Sequence, residues 1–93
     1  MIRSFACKET EAIFNQQRSR RLPRDIERRA LRKLLAIHYA HDVIDLRTPP
    51  GNALERLTGD RKGQWSIRVN EQWRICFEWH EAHAYNVEIA DYH

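Results

Sequence analysis

The segment GQWSIRVNEQWRICFEW (63–79) decides the fold, because its apolar residues recur at every second position on both sides of a short polar break. Apolar side chains occupy the odd positions of both halves, and polar side chains occupy most of the even ones. A period of two is typical of a β-strand that buries one face. The break NEQ (70–72) is short enough for a hairpin loop. The segment therefore predicts an antiparallel hairpin with one apolar face.

The same alternation predicts the register of this hairpin. If the apolar residues of both strands share a face, Ile67 pairs with Ile75, and Arg68 lies directly opposite Arg74 on the other face. Like charges in that position destabilise a sheet unless a negative group lies between them. Local conflicts of this kind tend to mark functional sites. We therefore expect Arg68 and Arg74 to bind a negatively charged group.

The closing segment AYNVEIADYH (84–93) alternates in the same way and predicts the next strand of a meander. Its apolar residues should continue the apolar face of the hairpin. The expected pairs are Trp79 with Tyr85, Ile75 with Ile89, and Arg74 with Ala90. This register brings the end of the chain beside the two arginines.

The last three residues can each carry a proton. Tyr92 has the parity of Arg74 and should point to its face, whereas Asp91 and His93 have the opposite parity. All three can reach one ligand only if the strand ends, bulges or twists after Ala90. The pattern leaves this point open.

Arginines beside an Asp, a Tyr and a His are the groups that metal-free RNA cleavage needs. A base takes the proton of the 2′-hydroxyl, an acid protonates the leaving 5′-oxygen, and cations stabilise the charge on the phosphorane. Two ordinary explanations stand beside this hypothesis. A C-terminal His can be flexible and idle, and the arginines can bridge to Glu78, Glu88 or Asp91 in a surface network.

A basic helix is predicted upstream, in LPRDIERRALRKLLAIHYA (22–40), where apolar residues recur at helical spacing. Arg24, Arg28 and Arg32 form a separate stripe that should be exposed. The surrounding residues 18–33 hold eight basic and two acidic side chains. This density suggests a polyanion or an acidic protein as partner, although a solvated helix face would carry the same charge.

Shorter segments complete the expected architecture. IRSFAC (2–7) predicts a short strand, KETEAIFNQQ (8–17) a short helix, and ALERL (53–57) a further strand, while TPPGN (48–52) breaks the chain. Helices covering the apolar face of an antiparallel sheet make an α+β protein. The length of 93 residues is that of one domain, so we expect residues 1–93 to form a single domain.

Composition limits the environment of the chain. No apolar run approaches the length needed to span a bilayer, and the start lacks the apolar stretch of a signal peptide. We therefore expect a cytoplasmic protein without membrane contact. Cys7 and Cys76 have no metal-binding spacing and should be reduced and partly packed.

Two weaker features concern phosphate and metal binding. GDRKG (59–63) places Arg61 and Lys62 on a mobile connector, where they are plausible contacts for a phosphate backbone. The histidine pairs 38/41 and 80/83 lack a third ligand at a recognisable spacing. We expect these histidines to be solvated or partly buried, and we expect no metal or other cofactor.

Four stretches together identify a family resemblance: MIRSF, LRTPPGN, LTGDRKGQWSIRVNEQWRICF and VEIADYH. They resemble the HigB-type toxins of the RelE/ParE superfamily of bacterial toxin–antitoxin modules. The resemblance covers nearly the whole chain and is most specific at the centre and the C-terminus.

The resemblance implies a fold and an activity. Such toxins have an N-terminal strand and two helices packed on a curved antiparallel sheet of about four strands. Many enter the ribosomal A site and cleave the translated mRNA without a metal. The family positions implicated in cleavage match Arg74, Asp91, Tyr92 and His93. With RNA as the substrate, the cations singled out above from the sequence would be the RNA-binding residues, and the basic helix would contact ribosomal RNA: Arg68, Arg61, Lys62, Arg24, Arg28 and Arg32.

The resemblance also implies the partners: the ribosome with its mRNA, and a HigA-type helix-turn-helix antitoxin. This antitoxin represses the operon, so operator DNA would be contacted only indirectly. One departure from the family concerns the segment before GDR, where some active members carry a His and a Lys and this chain has Glu55 and Arg56. The second acid–base group is therefore lost, replaced by Glu55, or unnecessary, and a slow or mild toxin is compatible with this departure.

Two alternatives to a nuclease stay open from the sequence. One is a ParE-like inhibitor that binds DNA gyrase. The other is a non-catalytic module that binds RNA or DNA through the helix stripe and the arginine pair.

Overall fold

The computed structural model describes residues 1–91 and has the predicted α+β architecture. Helices α1 (Lys8–Phe14) and α2 (Arg24–Tyr39) precede strands β1 (Glu55–Arg56), β2 (Gln64–Arg68), β3 (Trp73–His80) and β4 (His83–Asp91). Short 3₁₀ turns lie at Val43–Arg47, Pro50–Asn52 and Gly59–Arg61. None of the helices within residues 1–91 is long and apolar enough to cross a bilayer.

The helix α2 forms where its spacing predicted and buries the predicted face. Pro23 precedes its first residue, where a missing N–H costs nothing. Its four buried residues are Ile26, Ala30, Leu34 and Ile37. They pack with the apolar residues of the sheet in one core. The helices therefore cover one face of the sheet and leave the other, which we call the outer face.

The four strands lie in the order β1-β2-β3-β4, and every neighbouring pair is antiparallel. The predicted hairpin register is confirmed: Ile67 pairs with Ile75, and Arg68 with Arg74. The three tryptophans at 65, 73 and 79 are partly buried against the core. Period-two alternation thus determined both the strands and their pairing.

One predicted pair in β4 is wrong. Ile75 does lie opposite Ile89, and Arg74 opposite Ala90, but Trp79 pairs with Ala84 rather than with Tyr85. The register shifts by one residue between these points. Asn86 has a positive φ of 53° there, so β4 bulges. Tyr85 consequently lies opposite Glu78, on the outer face.

The sequence predicted a strand at residues 2–7, but the N-terminal segment pairs with β4 only at isolated points. Ile2 and Phe5 form isolated parallel bridges with Ala84 and Val87. The bulge at Asn86 lies between these two bridge points and interrupts the pairing there. The Ser4 hydroxyl accepts a bond of 2.8 Å from the Asn86 N–H and so occupies the gap.

The break at residues 48–52 is anchored by a buried amide. Asn52 is fully buried and donates from Nδ2 to the carbonyl oxygens of Leu46 and Thr48, at 3.1 and 3.2 Å. Its Oδ1 accepts a hydrogen bond from Nζ of Lys33 on α2. This amide fixes the loop against the basic helix.

Candidate functional site

The two arginines of the outer face are cross-strand neighbours whose side chains take different environments. Arg68 ends β2, is exposed, and donates from Nε to the carbonyl oxygen of Asn70 at 3.1 Å. Arg74, directly opposite, is only 9% exposed. Because Arg68 donates to a carbonyl of the β2–β3 loop, the two guanidinium groups have different hydrogen-bond partners.

Within residues 1–91, Arg74 is held by neutral acceptors and by the carboxylate of Glu55. Its Nε donates to Ser66 Oγ at 2.8 Å, and its Nη2 donates to the carbonyl oxygen of Ala53 at 2.6 Å. Glu55 Oε2 lies 3.7 Å from the same Nη2. Glu55 on β1 is therefore a negative group beside the arginine pair, and Arg74 is a fixed cation rather than part of a loose surface network.

Arg61 also binds to the outer face of the sheet, from the 3₁₀ turn that precedes β2. It ends the 3₁₀ turn Gly59–Arg61, and its Nη2 lies 3.1 Å from Glu88 Oε1 on β4. Its Nη1 donates to Gln64 Oε1 at 3.1 Å. The next residue, Lys62, is exposed. The predicted connector thus carries one cation bound to the sheet and one exposed to solvent.

These charged groups surround a buried thiol. Cys76 has no exposed surface and lies opposite Ser66 and Glu88. Burial raises the pKa of this thiol, and the nearby guanidinium groups of Arg61 and Arg74 oppose that shift. A thiol with a raised pKa stays protonated near neutral pH, so Cys76 is a packing residue and not a nucleophile. Both cysteines are free, as predicted.

Asp91 ends the described part of β4 at the edge of this surface. It lies opposite Trp73, while Ala90 lies opposite Arg74, with no bulge between the two pairs. Asp91 therefore keeps the parity opposite to Arg74. Its Oδ2 accepts a bond of 3.1 Å from Nε2 of Gln72. The remaining predicted catalytic residues, Tyr92 and His93, lie outside the described residues.

The predicted stripe of α2 is exposed at all three positions, Arg24, Arg28 and Arg32. A second basic feature was missed from the sequence: a cleft of about 340 Å³ between α2 and the β2–β3 loop. We call it the basic cleft. Its lining residues are Arg29, Arg32, Lys33, Gly51, Arg68, Val69, Asn70 and Glu71.

The basic cleft concentrates positive charge. The pKa of Lys33 is lowered, first by burial and then by the neighbouring Arg29 and Arg32. Arg29 donates from Nη1 to the carbonyl oxygen of Val69 at 3.4 Å. The four-residue spacing of Arg29 and Lys33 places both on one side of the helix. The sequence signals for the cleft were this spacing and the basic segment 18–33, but neither indicated that the β2–β3 loop would close it.

Two histidines hold the N-terminal segment. The Ile2 N–H donates to His38 Nδ1 at 3.1 Å, and Arg3 Nη2 lies 3.3 Å from His83 Nε2. Within the described chain, no group of three His, Cys, Asp or Glu side chains is arranged to hold a metal ion. These two histidines therefore have structural contacts, in agreement with the expectation of solvated or partly buried side chains.

Comparison with known proteins identifies the family. The model of a family described as the RelE-like toxin of the type II toxin–antitoxin system HigB matches residues 3–93. The chain belongs to this family. Toxin HigB-1 of Vibrio cholerae is 44% identical over 90 residues, covering 96% of this chain and 95% of that toxin. Endoribonuclease HigB of Proteus vulgaris is 34% identical over 93 residues, covering 100% of both chains.

The fold of this HigB-like toxin is also shared with a solved structure. A chain of the YoeB-YefM complex from Staphylococcus aureus aligns with a TM-score of 0.62 and 18% identity, covering 100% of this chain and 95% of that one. As a toxin of a type II system, the HigB-like chain has an antitoxin as its partner.

Proposed function

We propose that this HigB-like toxin is an mRNA endoribonuclease that cuts messages on the ribosome without a metal ion. In this proposal residues 1–93 act as a single domain in the cytoplasm. A HigA-type helix-turn-helix antitoxin neutralises the toxin, and operator DNA is contacted only through that antitoxin. The relative from Proteus vulgaris, named an endoribonuclease and aligned over its full length, supports this activity.

The observation that carries the proposal is the fixed guanidinium of Arg74. Hydrogen bonds to Ser66 and to the Ala53 carbonyl orient it, and it lies on the same face as the cross-strand partner Arg68. Preorganised cations aimed at a site of developing charge lower a barrier most, because they need no reorganisation during the reaction. The planar fork of Arg also suits the paired oxygens of a phosphate.

The reaction that fits these groups is attack of the 2′-hydroxyl on the adjacent phosphate. The proton of the 2′-hydroxyl passes to a base, a new bond forms between that oxygen and phosphorus, and the bond to the 5′-oxygen breaks. The leaving oxygen takes a proton from an acid. His93 serves as acid or base, a role that imidazole side chains commonly take, Tyr92 stacks on a base or passes a proton, and Arg74 stabilises the phosphorane.

Asp91 and Glu55 have positioning roles in this proposal. Glu55 lies 3.7 Å from Arg74 and occupies the region in which some family members carry a His and a Lys. Its carboxylate orients the arginine and partly neutralises it in the resting protein. Asp91, bonded to Gln72, holds the end of β4 beside the start of β3.

The test is primer extension on mRNA in a translating bacterial extract, with purified wild type and His93→Ala protein. Cuts within translated codons that appear for the wild type and disappear for the variant would support the proposal. Ribosome binding of His93→Ala, measured by co-sedimentation, should stay near that of the wild type. Intact mRNA with the wild type would overturn the nuclease and turn attention to a DNA gyrase assay.

A further inference from the structure

We propose that the basic cleft between α2 and the β2–β3 loop binds a backbone phosphate of the RNA strand that lies across Arg74. The ligand is a single-stranded phosphodiester. This assignment rests on the proposed function, in which RNA is the substrate. The site is separate from the cleavage centre and uses Arg29, Lys33 and Arg68, of which only Arg68 was predicted from the sequence.

The cations of the cleft form no ion pair with a carboxylate within the described residues 1–91. In residues 1–91 none of Arg29, Arg32 or Lys33 lies within 4.0 Å of a carboxylate, although other cations of the chain form such pairs. Glu71 lines the same cleft but is exposed and forms no such pair there. Four like charges around one space repel each other, and a bound anion would relieve that repulsion.

Three of these cations are already oriented by one neutral acceptor each. Arg29 bonds to the carbonyl oxygen of Val69, Arg68 to that of Asn70, and Lys33 to the buried side chain of Asn52. A guanidinium has five N–H donors and an ammonium has three, so most donors of each group are left for a ligand. The cleft is thus a preformed set of donors rather than a row of flexible side chains.

Continuity with the outer face favours RNA over an acidic peptide. Arg68 lines the cleft and is also the cross-strand partner of Arg74. Neighbouring strands are about 5 Å apart, so a strand of RNA whose phosphate lies at Arg74 also reaches Arg68, which borders the cleft. Arginine forks bind phosphate oxygens in pairs.

The test measures binding of a fluorescent single-stranded oligouridylate by anisotropy at several salt concentrations. Arg29→Gln and Arg68→Gln should each weaken binding roughly 3- to 10-fold and lower the slope of log affinity against log salt by about 0.7. Arg3→Gln is the matched control, because it makes the same charge change beside His83, at the other end of β4. Its affinity should stay close to that of the wild type.

Arg68→Gln is the decisive variant, since its side chain is exposed and makes one hydrogen bond, to a loop carbonyl. If it and Arg29→Gln bind RNA as Arg3→Gln does, the cleft is not an RNA site. If they lose affinity for an oligoglutamate peptide but not for RNA, the cleft is a site for acidic peptides and the proposal is overturned.

The test of the cleft and the test of the proposed nuclease activity can fail independently of each other. Codon-specific cleavage by the wild type, together with unchanged RNA binding by both cleft variants, would reject the cleft alone. Loss of RNA binding in the cleft variants, with no cleavage by the wild type, would keep the cleft and reject the nuclease.

Discussion

At the scale of single residues, Arg74 is a cation withdrawn from solvent into the outer face of a sheet. Burying a charge is costly unless hydrogen bonds and opposite charge replace its water. Here Ser66, the Ala53 carbonyl and Glu55 do so. The side chain therefore contributes to stability as well as to the proposed chemistry, and the two contributions can be measured separately.

Removal of this side chain should destabilise the protein. Arg74→Ala leaves a buried hydroxyl and a carbonyl without their donor, so the free energy of unfolding should fall by about 1–3 kcal/mol. Arg68→Ala, the same change on the exposed cross-strand partner, should alter it by about 0.5 kcal/mol or less. Urea unfolding of the two variants checks this. Equal losses would show that the burial of Arg74 has no energetic consequence.

At the scale of elements, the bulge in β4 sets which side chains reach the outer face. Asn86 adopts the left-handed region with φ 53°, and its Nδ2 donates to Glu78 Oε2 at 2.8 Å. Asn tolerates this region better than most residues, because its short polar side chain can bond locally. Alternation in the sequence did not reveal the bulge, since a single residue with positive φ leaves no periodic signal.

Substitutions at Asn86 should follow backbone conformation. Asn86→Val places a β-branched residue at positive φ and should lower the free energy of unfolding by about 1–3 kcal/mol. Asn86→Gly, which loses the bond to Glu78 but has no steric conflict, should be much less destabilising. Denaturant midpoints measure both. A Val variant as stable as the Gly variant would contradict the bulge.

The N-terminal segment should loosen at acidic pH because of His38. Burial, and then the positive N-terminus, lower the pKa of His38, whose Nδ1 accepts the Ile2 N–H. As the pH falls, His38 therefore takes up a proton in the unfolded chain before it does so in the folded protein. The contribution of neutral His38 to stability is complete above its pKa in the unfolded chain, about 6.5. It is lost as the pH falls through the lower pKa that His38 has in the folded protein.

A pair of His variants isolates this effect. The free energy of unfolding of the wild type should fall from pH 7.5 toward pH 5, and His38→Gln should flatten part of that slope. His41→Gln, which changes an exposed residue three positions along, is the control and should keep it. His83, whose pKa is also lowered, chiefly by burial, contributes equally to both variants. An unchanged slope in His38→Gln would show that this histidine is not responsible.

At the scale of the whole molecule, the sequence predicted what depends on periodicity. The hairpin register and the Arg68–Arg74 pair follow from alternation, and the buried face of α2 follows from helical spacing. The basic cleft did not follow, because α2, Gly51 and the β2–β3 loop are far apart in the chain. The contact of Glu55 with Arg74 likewise depends on how β1 is placed.

In the proposed reaction, Arg74 stabilises the transition state of mRNA cleavage. The most direct test of this role is the single-turnover rate of mRNA cleavage on programmed ribosomes for the wild type and for Arg74→Lys, which keeps the charge but loses the fork. We expect the rate to fall roughly 10²- to 10³-fold while ribosome binding is retained. Cleavage by Arg74→Lys at the wild-type rate would contradict it.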